Sequence, residues 1–312
     1  MTNHRLMLAL DVGGTFIKGC IIENHRINTS TIKKYHTYSY LDADAILNNF
    51  KIVIEDLFYQ YLRDYNKESI NQLIIGLTFP GPFDYQNGVS YMKGIGKFDT
   101  LYEMNIRDEI LKRLRAARLP VNDQIIIRFE NDCRLFGVGV SEELSEQKLI
   151  CLTIGTGLGS AFLDEGKIIR NQKNIPLEGY LYQTPYKESI VDDYFSIRGI
   201  LKLASSNGID INRYSTVKDI SLLAIEKEGS AIQTFKVFGK NLAEMLKPYI
   251  ESFQPDKIVL GGQISKSFDL FGYPLQKIAQ QNNIDAVALK DEQYYTFKGI
   301  DLAFNNDDHI MN

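Results

Sequence analysis

The sequence predicts an α/β protein made of two copies of one unit, with a cleft between the copies. Two observations lead there. The first is an internal echo: "LMLALDVGGTFIKGCII" (residues 6–22) and "LICLTIGTGLGSAFLDEG" (residues 149–166) share one pattern of apolar strand, Gly/Thr turn and apolar strand. Each is followed by an amphipathic helix and then by a further strand that ends in glycine. The second is size. The chain has 312 residues, 44% of them hydrophobic and 24% charged, which suits about two domains with a core each.

In chain order, apolar strands end at Asp11 and restart at Thr15, with a weaker one over residues 31–38. Over residues 41–65 the period changes. Ile46, Leu47, Phe50, Val53, Ile54, Leu57, Phe58, Tyr61 and Leu62 follow three-and-four spacing, one apolar face of a long helix. "LIIGLTF" reads as a buried strand stopped by Pro80-Gly81-Pro82, and "QIIIRFE" as another that runs into Asn131-Asp132. After the second Gly-rich hairpin, residues 232–253 carry an apolar face from Phe235 to Phe253, with Pro248 expected to kink the helix rather than abolish it. "KIVLGG" is the strand that follows. No low-complexity linker separates the halves, so the boundary is expected near residues 130–147.

The formal net charge is −4, which provides no general basic field for nucleic acid or an anionic membrane. Any phosphate must be held locally, by backbone N–H groups or a metal. Cys20, Cys133 and Cys151 lie far apart in sequence and read as buried free thiols of a reducing compartment. The apolar stretch before Asp11 is too short for a signal peptide or membrane span, so a cytoplasmic protein is expected.

Glycine turns expose backbone N–H groups and admit a phosphate oxygen, and Thr15 and Thr156 each add a hydroxyl. Asp11, at a strand end before the first turn, is placed to hold Mg²⁺ through water, because Mg²⁺ keeps much of its hydration and takes few carboxylates. The Gly-Lys-Ser/Thr phosphate loop and the dinucleotide Gly-x-Gly-x-x-Gly opening a helix are both missing. Two turns gripping one triphosphate from two domains fit instead. Lys18 lies in the outgoing strand and reads as a solvent-facing lysine.

Five segments in order resemble the ROK family of sugar kinases, within the actin-like ATPase and hexokinase superfamily with its ribonuclease H-like domains. "LALDVGGTFIKGCII" resembles the family's first phosphate motif and "LTFPGPFDYQNG" its Pro-Gly sugar loop. "FENDCRLFGVG" resembles its Asn-Asp motif, "LTIGTGLGSAFLDEGKII" its second phosphate motif and "PDKIVLGGQIS" its adenosine motif. The resemblance implies transfer of phosphate from ATP, with Mg²⁺, to a hydroxyl of a hexose, amino sugar or glycoside, at the 6-position. Asp132 matches the family's catalytic Asp, the general base that accepts the hydroxyl proton; Asp is also a favoured cap for the helix that follows. Gly13, Gly14, Thr15, Gly155, Thr156 and Gly157 would hold phosphate, and Gly261 and Gly262 the adenosine. Gly81, Asn131, Asp132, Glu178 and Tyr180 would meet the sugar. The implied domains are 1–130, completed by about 295–312, and 131–294, and relatives of this type dimerise.

Many family members carry Glu-x-Gly-His followed by a zinc-binding cysteine cluster. Between Gly166 and Gly199 this sequence has neither Cys nor His, so no structural zinc site is expected there. The family Glu falls on Glu178, and the Gly-His pair on Tyr180-Leu181 or, with one deletion, Gly179-Tyr180. Tyr180 or Tyr182 would then take the place of the sugar-contacting His. This departure bears on which sugar is read more than on the reaction. The alternative is a non-enzymatic regulator or pseudokinase of the same fold. No DNA-binding module precedes the first strand at about Arg5, so nucleic acid is not an expected partner.

Overall fold

The computed structural model describes residues 5–145 and 147–305. These divide into two compact units, one running to Leu135 and resuming at Gln293, the other Phe136–Glu292. The expectation for about 295–312 lies outside the described residues beyond 305.

The first unit opens with β1 (Leu6–Val12), β2 (Phe16–Glu23) and β3 (Arg26–His36), an antiparallel meander. After α1 (Ala43–Asp64), β4 (Ile70–Thr78) joins β1 in parallel. A ribbon, β5 (Phe83–Asp84) with β6 (Val89–Ser90), and α2 (Ile106–Ala116) then lead to β7 (Val121–Glu130), parallel to β4. The sheet order is β3-β2-β1-β4-β7. Helix α1 starts where the Asp42 carboxylate accepts the Ala45 N–H at 2.8 Å. All nine residues of its expected face are buried, against Leu8, Leu10 and Val12 from one side of β1.

Helix α3 (Asp132–Ser141) leaves the end of β7 and crosses into the second unit. There β8 (Lys148–Ile154), β9 (Leu158–Asp164) and β10 (Lys167–Ile168) form another antiparallel meander. A small ribbon of β11 (Pro185–Tyr186) and β12 (Ser189–Ile190) follows, then α4 (Val191–Tyr194), α5 (Ile197–Ser206), α6 (Val217–Ile225) and α7 (Gly229–Phe253). Strand β13 (Lys257–Gly261), α8 (Phe268–Phe271), α9 (Tyr273–Gln281) and β14 (Asp285–Ala288) complete it, giving the sheet order β10-β9-β8-β13-β14. The two sheets thus share one order and one pattern of directions. Pro248 does not end α7; it sits on the exposed side, where water can bond the carbonyl it leaves unpaired.

The last helix, α10 (Glu292–Asn305), returns to the first unit. It packs so closely on β4 that a Cβ on Gly76 would lie 2.5 Å from Ile300 Cγ2. All three cysteines are buried and none is in a disulfide. Among the described residues no helix is long and apolar enough to cross a membrane.

Candidate active site

At the end of the first sheet one row of register partners crosses three strands. Asp11 on β1 stands opposite Lys18 on β2 and beside Thr78 on β4. Direct partners project to the same face, and the side chains meet. The Lys18 ammonium lies 3.0 Å from Asp11 Oδ2, and the Thr78 hydroxyl donates to Asp11 Oδ1 at 3.0 Å. The Thr78 oxygen also accepts the Val12 N–H at 2.9 Å. Lys18 is therefore not simply solvent-facing, as expected from the sequence: the hairpin register sets it against Asp11.

A hydrated Mg²⁺ fits this donor set. Each Asp11 oxygen keeps a second lone pair for a bridging water, and the carboxylate sits immediately before a turn with open N–H groups. Among the described residues no three His, Cys, Asp or Glu side chains converge as a metal cage, so phosphate oxygens and water would supply the other ligands.

The two turns resemble each other in hydrogen bonding. The Gly13 N–H closes the first by donating to Phe16 O at 2.9 Å, and the Gly155 N–H closes the second by donating to Gly157 O at 2.9 Å. Among the described residues, the N–H groups of Gly14 and Thr15, and of Thr156 and Gly157, have no partner. The Thr15 and Thr156 side chains are exposed. Each turn thus presents two consecutive open N–H groups, an arrangement that can accept an anion.

Where β7 meets α3, Asn131 caps the helix. Its Oδ1 accepts the N–H groups of Cys133 at 3.0 Å and Arg134 at 3.2 Å. That occupies the acceptor of Asn131 and leaves its amide N–H₂ to donate. Asp132 is thereby relieved of the main capping role. Its Oδ1 accepts the Cys133 N–H at 2.8 Å; its other oxygen has no partner among the described residues. Surrounding protein raises the Asp132 carboxyl above its ordinary range, and the like charge of Asp11 adds to this. The Cys133 N–H bond and the Lys97 ammonium oppose the shift. One face stays open to solvent, so the carboxyl can still exchange protons. Beneath it, buried Glu130 pairs with buried Arg134 at 3.2 Å and accepts the Asn131 N–H at 2.8 Å, fixing the strand-to-helix turn.

In the second unit, Gly262 has φ +91°, and a Cβ there would lie 2.4 Å from Ile154 O. Only glycine lets the end of β13 lie this close to the backbone just ahead of Gly155. Gly261 is the register partner of Thr153 and faces Phe136 and Glu292. Asp192 braces the second turn: its Oδ1 accepts the Leu158 N–H at 2.7 Å, and its Oδ2 meets Arg198 at 2.8 Å. A Cβ on Gly157 would lie 2.7 Å from that carboxylate.

The candidate sugar residues divide between the units. Gly81 is exposed in a loop held by Tyr85, whose hydroxyl donates to Phe79 O at 3.0 Å. Arg107 staples that loop by donating to Gln86 O at 2.9 Å and Ile127 O at 3.1 Å. Glu178 adopts left-handed backbone (φ +59°) and lies 3.2 Å from Arg170. Ser160 fixes the next residues, donating to Gly179 O and accepting the Leu181 N–H, both at 2.8 Å. The rings of Tyr180 and Tyr182 are neighbours, 5.8 Å apart, so the geometry does not single out one of them.

Asp192, Arg107, Thr78 and Lys97 escaped the sequence reading. Only Lys97 left a usable mark: "KGIGK" places two glycines just before a lysine.

Two sheets of one order, each turning at a glycine nest, define the actin-like ATPase fold. The chain belongs to the ROK family, whose profile matches residues 7–295. A glucokinase of Halalkalibacterium halodurans is 22% identical over 303 residues, covering 88% of this chain and 85% of that protein. The structure of a ROK glucokinase from Streptomyces griseus, bound to glucose and AMPPNP, superposes with TM-score 0.71 at 17% identity, covering 96% of this chain and all of that one (100%). A ROK family transcriptional regulator, a homolog of the E. coli MLC protein, superposes with TM-score 0.73 at 16% identity, over 96% of this chain and 78% of that one.

Proposed function

We propose that this protein is an ATP-dependent sugar kinase that phosphorylates the 6-hydroxyl of a hexose, amino sugar or glycoside. The observation that carries the reading is Asp132. It stands at the start of α3 with its capping work done by Asn131 and one oxygen without a partner. A carboxylate so placed can take the proton of an attacking hydroxyl. Asn131 Nδ2, the Gly81 backbone, Glu178 and Tyr180 would orient the sugar. Gly13, Gly14, Thr15, Gly155, Thr156 and Gly157 would bind phosphate, and Gly261 and Gly262 adenosine. Mg²⁺, held through water by Asp11, would offset charge on the phosphates. A cytoplasmic homodimer is the expected working form.

The family also contains regulators, but Asp11, Asp132 and the turn glycines are all present here, which favours catalysis. The test is coupled ADP release with ATP and Mg²⁺ against hexoses, N-acetylhexosamines, and phosphorylated or glycosylated sugars. Turnover should appear with at least one sugar, with phosphorus-31 NMR placing the new ester on C6. Silence across the whole panel would favour the regulator reading.

A further inference from the structure

The loop "KGIGKFD", residues 93–99, lies between the quoted motifs rather than in any of them, yet it is tied to the first glycine turn. Gly94, Gly96 and Phe98 have left-handed backbone, at φ +70°, +77° and +58°. For Phe98 that conformation is uncommon and has to be held by its surroundings. Asp99 holds it from one side, accepting the N–H groups of Ile95 and Gly96 at 3.0 Å each. From the other side the Phe98 N–H donates to Ser39 O at 2.6 Å, and the buried Phe98 ring packs 5.2 Å from Phe79. Ser39 in turn donates its hydroxyl to Gly14 O at 2.5 Å. One residue therefore anchors both the loop and the turn.

Lys97 lies between them. A Cβ on Gly14 would stand 2.9 Å from Lys97 Cδ and 4.0 Å from its Nζ, so the lysine stem crosses the turn directly over that glycine. The side chain is half-buried, and among the described residues its ammonium forms no ion pair or hydrogen bond. A solvated surface lysine would need neither the left-handed Phe98 nor the Ser39 tether. An unpaired cation fixed over two open N–H groups is instead a site for a tetrahedral anion.

We propose that Lys97 is a catalytic residue for phosphoryl transfer: its ammonium binds the terminal phosphate of the nucleotide over Gly14 and offsets the charge on it during transfer. The proposal rests on the kinase reading above. In the step, the bond from the γ-phosphorus to the β–γ bridging oxygen breaks and a bond to the sugar oxygen forms. The hydroxyl proton passes to Asp132, ADP leaves, and Lys97 keeps its proton throughout. The Lys97 charge also lowers the Asp132 carboxyl pKa, against the opposing pull of Asp11 on β1; Lys18 on β2 is already paired with Asp11.

Calorimetry of AMPPNP and ADP binding, followed by steady-state kinetics, tests this on the wild type, K97M and K97R. K97M should weaken AMPPNP by about 10–100-fold, the loss of a charged hydrogen bond, and ADP far less. Its kcat should fall by about 10²–10³-fold, with K97R recovering part of it. The acid limb of its kcat/KM profile should also move to higher pH, since Asp132 loses a neighbouring cation; a merely structural lysine would weaken AMPPNP and ADP alike. Wild-type AMPPNP affinity and kcat in K97M would overturn the proposal. If the wild type binds nucleotide but phosphorylates no sugar, the kinase reading falls, while the AMPPNP-against-ADP comparison still decides Lys97. Loss of both affinities to the same degree would count against it.

Discussion

The ends of the two central sheets share one backbone design and carry opposite chemistry. In the first unit the row behind the turn reads Lys18, Asp11, Thr78, linked side chain to side chain. At the matching register of the second unit the row reads Gly159, Thr153, Gly261. Both turns close through their first glycine N–H and leave the next two N–H groups open. What the two halves share is therefore a turn with two open N–H groups, which belongs to the backbone and survives large side-chain change. What differs is charge. Asp11, Asp132 and Lys97 all lie in the first unit, whereas the row in the second presents small residues, suited on the proposed reading to a flat base and ribose, and its nearby carboxylate, Asp192, is taken up by the Leu158 N–H and Arg198.

The largest expected effect comes from emptying the charged half of its base. D132N should lower kcat by about 10²–10⁴-fold in the coupled assay. Because the Asp132 carboxyl is raised in the folded protein, its ionised form works against folding: that contribution is absent at low pH and appears as pH rises through the folded pKa. D132N should therefore unfold at the same or higher denaturant concentration near neutral pH. Wild-type kcat/KM should fall as pH drops through that raised pKa. Loss of activity together with loss of stability would mark Asp132 as a structural cap, and near-normal kcat would remove it as the base.

A smaller effect is expected at Asp11. D11N keeps the shape of the row and its Thr78 contact but removes the charge that would hold hydrated Mg²⁺. Activity at fixed Mg²⁺ should fall by about 10–100-fold, and a Mg²⁺ titration should need a higher midpoint. An unchanged midpoint would mean that Asp11 serves only to anchor Lys18.

How far the sequence discloses this division depends on which interactions are periodic. The apolar face of α1, the two hairpins and the order of the motifs are all local patterns, and each appears where the spacing places it. The Lys18 partner is not legible because hairpin register decides it: Lys18 keeps a solvent-exposed side, and a four-residue loop between Val12 and Ile17 pairs it with Asp11. Asn131 and Asp132 were legible as a pair, but their shares of capping and chemistry depend on which side-chain oxygen accepts the Cys133 and Arg134 N–H groups. Lys97, Ser39 and Asp192 act across long stretches of sequence, through contacts that no periodicity encodes.

The finest test of the contrast is Thr78, which stands where the second unit has Gly261. Its buried hydroxyl accepts the Val12 N–H and donates to Asp11. T78V keeps the volume but strands a buried N–H and frees one Asp11 oxygen. Equilibrium denaturation should show a loss of about 1–3 kcal/mol, the cost of an unsatisfied buried donor. T78S, which keeps the hydroxyl, should recover most of it. On the proposed reading the kinetic cost should be small, because Lys18 still holds Asp11 from the other strand. A large kcat loss in T78V with unchanged stability would shift weight from charge to the alignment of the row. The first unit would then differ from the second by how rigidly Asp11 is aimed, as well as by carrying it.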